Sequence, residues 1–392
     1  MKVLLLTNLF PRVSNKNGGI FITSRLREYR KFKISFDVVS LTYKDDFLVR
    51  ALKKILRRIY NDPLKEIEGI DYKVFRWNII KYLFYKLGLL NLFRSLCKSI
   101  EKKFDLEQYD IIHAHGMYGD VPAGLIAKFL AEKYNKPFVV TLHGSDVNVL
   151  MPQRSSEYKR VLESSSANIF VSKALLEKAK SYGYSGKNAV VIPNGYDPSI
   201  FYSVDKEGIR NELGILKKDY KYLGFVGNLV YIKRADKLGE IFNNIARKYP
   251  KTYFIVVGDG PMRDIIKKEA QGLNIIFTGR IQQKEVAKWI NAMDVMILPS
   301  RNEGWPCVVL EAQACGTCVI GSNNGGIPEA IGFPEYVVEE GKDFEERISE
   351  RVVEVLKKGY DKERLIERAK NFTWGSLVGK EIEVYKQVIL NK

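Results

Sequence analysis

The sequence predicts an α/β protein made of two doubly wound, Rossmann-like domains that face each other across a cleft. Short apolar runs alternate with helix-length segments along the chain, and this series stops near residue 195 and then starts again. The runs are almost continuously apolar, which is typical of strands buried on both faces of a parallel sheet. Two such series predict two sheets, each with its own hydrophobic core.

The first domain is predicted over residues 1–195. Its candidate strands are KVLLLTNLF (2–10), FDVVSLTY (36–43), DIIHAHG (110–116), PFVVTLHGSD (137–146), ANIFVSK (167–173) and AVVIPNG (189–195). We interpret the first run as a buried strand and not as a signal peptide, because it is short and no small-residue cleavage site follows it. Ligands of such sheets bind beyond the carboxyl ends of the strands, so the residues after each run are the candidate site.

The segment 47–104 departs from this pattern. It has 14 Lys+Arg against 5 Asp+Glu and contains the stretch WNIIKYLFYKLGLLNLF at 77–93. Its apolar residues spread around most of a helical wheel, so no clean amphipathic face is predicted. Two interpretations stay open. The segment is either a helix packed within the first domain or an element on an anionic membrane surface, where basic residues mixed with Trp, Phe and Leu are favourable.

The second domain is predicted over residues 196–372. The linker at 192–202 contains Pro and an Asn-Gly pair, which interrupt regular structure. The candidate strands beyond it are YLGFVGNL (222–229), YFIVVGDG (253–260), NIIFTGR (274–280), VMILPS (295–300), CVIGSN (318–323) and EYVVEE (335–340). Helical patterns separate them, and a last one leads to the prediction that 373–392 crosses back to the first domain.

The composition limits the classes of function. No run of 18 apolar residues occurs, so no membrane-spanning helix is predicted. Four cysteines and no targeting segment favour a reducing cytoplasm, with attachment to the inner face of the membrane left open. Residues 1–200 hold 33 Lys+Arg against 19 Asp+Glu, whereas the remainder holds 30 against 27. This asymmetry predicts an anionic partner for the first domain, either nucleic acid or a membrane surface; a lysine-rich solvated surface is the alternative.

The stretch NEGWPCVVLEAQACGTCVIGSNNGG, residues 302–326, contains several candidate functional groups: two Glu, a Cys-x-x-Cys pair and a diglycine. Pro306 suits the first turn of a helix and Gly316 suits the residue that ends one, so a helix is predicted from about 306 to 315. A helix N-terminus attracts anions such as phosphate through its free amide groups. Here those groups belong to Cys307, Val308 and Val309.

Cys315 and Cys318 form a Cys-x-x-Cys pair at the other end of that helix. A reactive pair has its first thiol at a helix N-terminus, where the pKa is lowered, and no nearby His completes a zinc set. We therefore predict that both are core residues. Glu303 and Glu311 are spaced to contact different parts of one elongated ligand, and the diglycine at 325–326 allows a close approach of the backbone.

The residues over 295–332 resemble the retaining glycosyltransferases of family 4, which have the GT-B fold. The resemblance recurs in FVSKALLEKA (170–179), VIPNGYDPSIF (191–201), FVGNLVYIKRADKL (225–238), VVGDGPMRDII (256–266) and FTWGSLVGKEIEVY (372–385). It implies that Glu303 lies by the donor sugar and Glu311 binds the ribose hydroxyls. It also implies that the backbone of 304–308 contacts sugar and diphosphate, with site residues Gly304, Trp305, Cys307 and Val308.

Members of that family neutralise the leaving diphosphate with an Arg and a Lys five residues apart. Lys233 matches the Lys, but Asn228 stands at the position of the Arg. Arg234 replaces what is usually Gly, and either it supplies the cation or the cation is missing. A fixed cation is needed because negative charge develops on the leaving group.

The first domain supplies further candidates. The turn NKNGGIF (15–21) is expected to bring the backbone amides of Gly18 and Gly19 within reach of an anion, and the resemblance implies that it is the family's loop beside the diphosphate and the acceptor. His143 and Asp146 follow a strand and are expected to project into the cleft, where the resemblance implies that His143 contacts the sugar and Asp146 lies on the acceptor side. Gly258, Arg280 and Ile281 are expected near the base.

The predicted function is metal-independent transfer of a sugar, with retention, from a nucleotide diphosphate donor to a glycan or lipid-linked acceptor. No cofactor is expected, and a metal site made by His113, His115 and His143 is conceivable but not favoured. The alternative function is that of a nucleotide-sugar epimerase or a phosphorylase, which would have the same fold and catalyse a different reaction. A nucleic-acid-binding protein is disfavoured because the basic residues are dispersed and no known module appears. A dehydrogenase is disfavoured because no Gly-x-Gly-x-x-Gly opens the first helix.

Overall fold

The computed structural model describes residues 1–12, 18–43, 47–55, 67, 69–117, 119 and 121–391. The chain divides into two compact units. Unit 1 comprises Met1–Pro193 and Trp374–Lys392, and unit 2 comprises Asn194–Thr373. Each unit is built on one parallel sheet whose strand order reverses near its centre, so the predicted fold class of two doubly wound α/β domains is confirmed.

Unit 1 has a seven-stranded sheet in the order β3-β2-β1-β4-β5-β6-β7. The strands are β1 (Lys2–Thr7), β2 (Ser35–Tyr43), β3 (Lys73–Trp77), β4 (Ile111–His115), β5 (Phe138–Leu142), β6 (Ala167–Phe170) and β7 (Ala189–Val191). The helices are α1 (Ile20–Lys31), α2 (Phe47–Ile55), α3 (Ile79–Lys86), α4 (Arg94–Glu101), α5 (Ala123–Lys133), α6 (Ser155–Ser164) and α7 (Lys173–Ser181). Every residue of β4 and β5 is buried, which is why these strands have no polar alternation.

The segment 47–104 contains a strand that the sequence did not predict. β3 pairs with β2 at the edge of the sheet, and residues 56–66 and 68 of the segment lie outside the described residues. α3 packs inward through Tyr85, whose ring lies 5.1 Å from that of buried Trp77. The opposite side of this region is an exposed apolar stripe at helical spacing, which consists of Ile80, Leu83, Phe84 and Leu87.

Unit 2 has a six-stranded sheet in the order β10-β9-β8-β11-β12-β13. The strands are β8 (Lys221–Val226), β9 (Thr252–Val257), β10 (Asn274–Gly279), β11 (Val295–Leu298), β12 (Cys318–Ser322) and β13 (Val337–Val338). The helices are α8 (Lys206–Glu212), α9 (Leu238–Lys248), α10 (Arg263–Glu269), α11 (Gln283–Ala292), α12 (Cys307–Ala314), α13 (Ile327–Ile331), α14 (Phe344–Lys358) and α15 (Lys362–Lys370). Cys315 and Cys318 are fully buried in this unit, as predicted for core residues.

The last helix, α16 (Trp374–Leu390), packs against α1 in unit 1. Its Glu381 pairs with Arg25 of α1 at 2.6 Å, and both side chains are buried. The hydroxyls of Tyr29 and Tyr385 donate to the same carboxylate, and Tyr385 also hydrogen-bonds His113 of β4. Burial raises the pKa of Glu381, but Arg25 and the hydrogen bonds outweigh burial and hold it below its ordinary value.

Candidate functional site

The candidate site of unit 2 lies where the strand order reverses. β8 and β11 are neighbours in the sheet, and the chain leaves them toward opposite sides, so a crevice opens beyond their carboxyl ends. The segment after β8 carries a 3-10 turn at Tyr231–Lys233, and the segment after β11 carries Glu303 just before α12. Topology therefore brings together residues that are 70 positions apart.

Lys233 and Glu303 form an ion pair in this crevice. The Ser300 hydroxyl donates to the same carboxylate oxygen of Glu303 at 2.9 Å, a contact that the sequence analysis did not identify. The pair is partly accessible, with the Lys233 side chain 26% and the Glu303 side chain 11% exposed. An accessible pair can exchange partners with a charged ligand, because each ion keeps part of its hydration.

The diglycine loop after β12 closes on the backbone of Glu303. The amide of Gly326 donates to the Glu303 carbonyl at 2.9 Å. Gly325 has φ +57°, and a Cβ there would overlap that carbonyl oxygen. The close approach expected of this loop is thus an approach to Glu303, and it fixes the loop that presents the carboxylate.

Glu311 lies in the second turn of α12, a helix predicted at 306–315 and observed at Cys307–Ala314. Its side chain is half-buried, and no residue in the described part of the chain donates a hydrogen bond to its carboxyl group. Burial raises the pKa of Glu311 to about 7. Because the described residues supply no donor, the ionised carboxyl group of Glu311 can accept hydrogen bonds from two neighbouring hydroxyl groups.

The loop before α12 is held by Trp305. Its indole is buried and donates to the carbonyl of Asn194 at 2.9 Å, so the side chain packs into unit 2. Three predicted backbone contacts lie at the start of the helix and are half-buried; they are Gly304, Cys307 and Val308.

Asn228 and Arg234 differ sharply in environment. Asn228 follows β8 and is exposed. Arg234 is buried, donates to Glu345 at 2.9 Å and to Glu340, and lies 4.1 Å from the ring centroid of Phe344. In the alternative that Arg234 supplies the diphosphate cation, its guanidinium group would have to leave two carboxylates.

The three residues expected near the base lie at the same edge of the sheet. Gly258 follows β9, and its amide donates to the carbonyl of Gly279 at 3.0 Å. Arg280 and Ile281 follow β10, the first exposed and the second half-buried. Their contact with a base stays a prediction.

The glycine turn of unit 1 is described from Gly18 onward, and Asn15–Asn17 of the predicted motif lie outside the described residues. Gly18 is half-buried. Gly19 has φ +67°, and a Cβ there would overlap the carbonyl oxygen of Leu9, so this glycine is required by the protein's own backbone. α1 begins directly after it.

His143 follows β5, and its ring centroid lies 4.3 Å from that of Phe21 in α1. Its Nε2 lies 3.1 Å from Nδ1 of His115, so these two histidines share one proton in a hydrogen bond. Burial and the positive charge of Arg25 hold the pKa of His143 well below its ordinary value. The imidazole is therefore neutral at physiological pH.

Asp146 is buried, which corrects the expectation that it projects from the end of its strand. Its carboxylate accepts the amides of His143 at 3.0 Å, Gly144 at 2.9 Å and Val147 at 3.0 Å. A carboxylate satisfies the free amides of a tight turn in the way that it caps a helix. Asp146 thus fixes the loop that carries His143, and its place on the acceptor side stays a prediction.

The strand-end histidines form a buried cluster in which Glu381 takes part. Ligand atoms of His113, His115 and Glu381 lie within 4.8 Å of one another. Both nitrogens of His113 already have partners, namely the hydroxyls of Tyr385 and Thr141, and Glu381 pairs with Arg25 as described above. A metal ion would have to break these contacts beside a buried cation, so the cluster fits a hydrogen-bonded core better than a metal site.

Two families match the chain. Residues 205–372 match "Glycosyl transferases group 1", and residues 21–200 match "Glycosyltransferase Family 4". A Bacillus subtilis glycosyltransferase, TuaC, whose name assigns it to teichuronic acid biosynthesis, is 32% identical over 86% of this chain and 85% of its own length. The N-acetyl-alpha-D-glucosaminyl L-malate synthase of Bacillus anthracis is 28% identical over 79% of each chain.

Solved structures share the fold at low identity. Sucrose-phosphate synthase from Thermosynechococcus elongatus superposes with a TM-score of 0.73 at 18% identity and covers 100% of both chains. Anabaena Alr3699/HepE in complex with UDP gives 0.70 at 19% identity, over 99% of this chain and 100% of its own. Among the described residues, no helix combines the length and the apolar character needed to cross a membrane.

Proposed function

The chain belongs to the family 4 glycosyltransferases, and from that premise we propose that it transfers a sugar from a nucleotide diphosphate donor to a hydroxyl group of a glycan or lipid-linked glycan. The proposed reaction retains the configuration at the anomeric carbon and uses no metal ion. The observation that carries the proposal is the meeting of Lys233 and Glu303 at the reversal point of unit 2, just before α12, the helix that carries the open carboxyl group of Glu311.

The proposed binding step is an exchange of partners. The diphosphate takes the Lys233 ammonium group from Glu303 and lies against the N-terminus of α12, where the helix dipole favours an anion. The carboxylate of Glu303, released from the ion pair but still held by Ser300, accepts hydroxyl groups of the sugar. Glu311 accepts the ribose hydroxyls.

In the proposed chemical step, the bond between the anomeric carbon and the diphosphate oxygen breaks, and the acceptor oxygen bonds to that carbon on the same face. The proton of the acceptor hydroxyl group passes to the leaving diphosphate. Lys233 stabilises the negative charge that develops on the leaving oxygen, which is the largest electrostatic demand of the reaction. Neutral His143 is proposed to orient the sugar as a hydrogen-bonding group, because a charged imidazole is disfavoured in its buried surroundings.

The acceptor is proposed to be a cell-envelope glycan, and the relative named for teichuronic acid biosynthesis supports this class. Peripheral attachment of unit 1 to an anionic membrane is part of the proposal. It is supported by the basic composition of the first 200 residues and by the exposed apolar stripe Ile80, Leu83, Phe84 and Leu87.

The proposal is tested in two stages. A panel of UDP-, GDP- and ADP-sugars is first screened for an increase in the thermal midpoint of the wild-type chain, since a ligand of the folded state stabilises it by mass action. The best donor is then assayed with a glycan acceptor in excess EDTA, and product analysis separates transfer from epimerisation and from phosphorolysis.

We expect Glu303→Ala to lower kcat/KM at least about a hundredfold, because a sugar contact made in the transition state is lost. The control is Glu354→Ala, an exposed acid of unit 2 that pairs with Lys358 and should leave the rate unchanged. Wild-type turnover in the Glu303 variant would remove that residue from the site. Activity that requires added Mg²⁺ would contradict the metal-free mechanism.

A further inference from the structure

A buried arginine holds the turn that carries Lys233. Arg234 follows Lys233 directly and has φ +56° and ψ +31°, in the left-handed region. That conformation costs a non-glycine residue about 1 kcal/mol. A bulky residue stays in such a conformation only where its surroundings hold it, so the contacts of Arg234 indicate what it does.

Those contacts leave no positive charge for a ligand. The guanidinium group is bonded to Glu340 and Glu345, and the residue is 5% exposed. Two carboxylates around one cation give the cluster a net negative charge. A diphosphate would meet that charge at close range, and the contact would be repulsive.

The contacts of Arg234 extend through further hydrogen bonds to Glu303, the other residue of the donor site. Glu340 also accepts the Asn324 amide at 2.6 Å, and that amide lies 3.2 Å from the carbonyl oxygen of Ser300. The hydroxyl of Ser300 holds Glu303, whose carboxylate pairs with Lys233. A continuous set of polar contacts therefore begins and ends at adjacent residues of one turn.

We propose that Arg234 is a positioning residue for the donor site. Its pairs with Glu340 and Glu345 fix the turn 231–237 to the segment after β13 and to α14, so that the Lys233 ammonium group is presented in the crevice. Through Asn324 and Ser300 the same pairs hold the carboxylate of Glu303. The link to donor binding rests on the proposed function, whereas the fixing of the turn does not.

The two alternative roles of Arg234 predict opposite changes of nucleotide affinity for the substitution Glu345→Ala. If Arg234 bound the diphosphate directly, Glu345→Ala would release the guanidinium group and tighten binding of UDP or GDP. If Arg234 positions the turn, Glu345→Ala loosens it and raises the Kd of the nucleotide that binds, by about threefold to tenfold for coupled groups of this kind. Isothermal calorimetry with UDP and with GDP measures this.

A second variant, Arg234→Gly, distinguishes the loss of positioning from a folding defect. Arg234→Gly suits the left-handed backbone, so it removes the guanidinium group without forcing the turn to change. We expect it to raise the same Kd by a similar factor. The double variant should bind no more weakly than the weaker single variant, because both substitutions break the same contacts. Tighter binding by Glu345→Ala would overturn the proposal.

Amide hydrogen exchange tests the turn without any nucleotide. We expect faster exchange over 231–237 in Glu345→Ala. The matched control is Glu350→Ala on the same helix, which breaks an exposed pair with Lys248 at 2.8 Å and should change neither exchange nor binding. Unchanged exchange in Glu345→Ala would overturn the proposal. If no nucleoside diphosphate binds the wild type, the proposed function fails and exchange still decides the role of Arg234.

Discussion

The burial of Glu311 is unfavourable for the stability of the folded chain but suits the binding of a ligand. Its carboxyl group is half-buried, has no hydrogen-bond donor in the described parts of unit 2, and has a pKa raised to about 7 by burial. Ionisation of such a group is unfavourable until a ligand supplies donors. Residues that are kept in an unfavourable state often belong to a binding site, and a pair of ribose hydroxyls would satisfy this one.

We predict that Glu311→Gln stabilises the chain at pH 8 and not at pH 5. The pKa of Glu311 is higher in the folded state than in the unfolded state, so the folded state binds more protons between about 4.5 and about 7. The free energy of unfolding therefore falls as the pH rises through this window and stays low above it. Urea unfolding should show the variant about 1 to 3 kcal/mol more stable at pH 8.

The same substitution should weaken binding of the nucleotide, because an amide is a poorer acceptor than a carboxylate for two hydroxyl groups. Wild-type affinity should rise between pH 6 and pH 8 as Glu311 ionises, and the variant should lose this dependence. An equal change of stability at both pH values would contradict the assignment of the raised pKa to Glu311.

Sequence reasoning found some site residues and missed others for a physical reason. Lys233 and Glu303 lie in short stretches after strands, where the resemblance to the family 4 glycosyltransferases marks them. The partners of Arg234 are more than 100 positions away, and nothing local indicates that Glu340 and Glu345 meet it. Asp146 was expected to project because it follows a strand, but the free amides of its own loop bind its carboxylate.

At the scale of elements, hydrophobic patterns predicted the strands that are buried on both faces. Within the described residues the one strand missed is β3, which lies at the edge of its sheet and reads KVFRW, so charged residues interrupt the apolar run. The pattern also predicted a terminal helix at 373–390, close to the observed α16. It gave no sign of the buried Glu381, since a lone acid in a helix is ordinarily solvated.

We predict that Glu381→Ala destabilises unit 1 by about 3 to 5 kcal/mol, because it leaves the guanidinium group of Arg25 buried without a counter-charge. Amide exchange should rise in α1, β4 and α16. The control is Glu383→Ala on the same helix, which removes an exposed pair with Lys386 and should change stability by less than about 0.5 kcal/mol.

A double substitution separates a lost ion pair from lost packing. Replacing Arg25 by Met and Glu381 by Leu removes both charges and keeps the volume, so it should destabilise less than Glu381→Ala alone. A Glu381→Ala variant that unfolds within about 1 kcal/mol of the wild type would show that the pair contributes little and that α16 is held by its apolar contacts.

At the scale of the whole molecule, the net charge follows the two units more closely than the two halves of the sequence. Unit 1 contains 36 Lys+Arg against 20 Asp+Glu, and unit 2 contains 27 against 26. If the basic residues served only to keep the surface solvated, we would expect a similar excess of positive charge on both units. The exposed apolar stripe of α3 lies in the basic unit, and basic charge beside exposed apolar side chains suits an anionic membrane interface.

We predict that the chain floats with vesicles that contain anionic lipid at low salt, and that Leu83→Asp with Leu87→Asp reduces this binding at least about tenfold. Each substitution removes an apolar side chain worth about 1 to 2 kcal/mol on burial and adds a charge that the lipid repels. The control is Ile265→Asp, an exposed apolar residue of unit 2, which should leave flotation unchanged. Equal flotation with zwitterionic vesicles would show that the basic charge of unit 1 does not drive binding, and full binding by the double variant would show that the apolar stripe does not contact lipid.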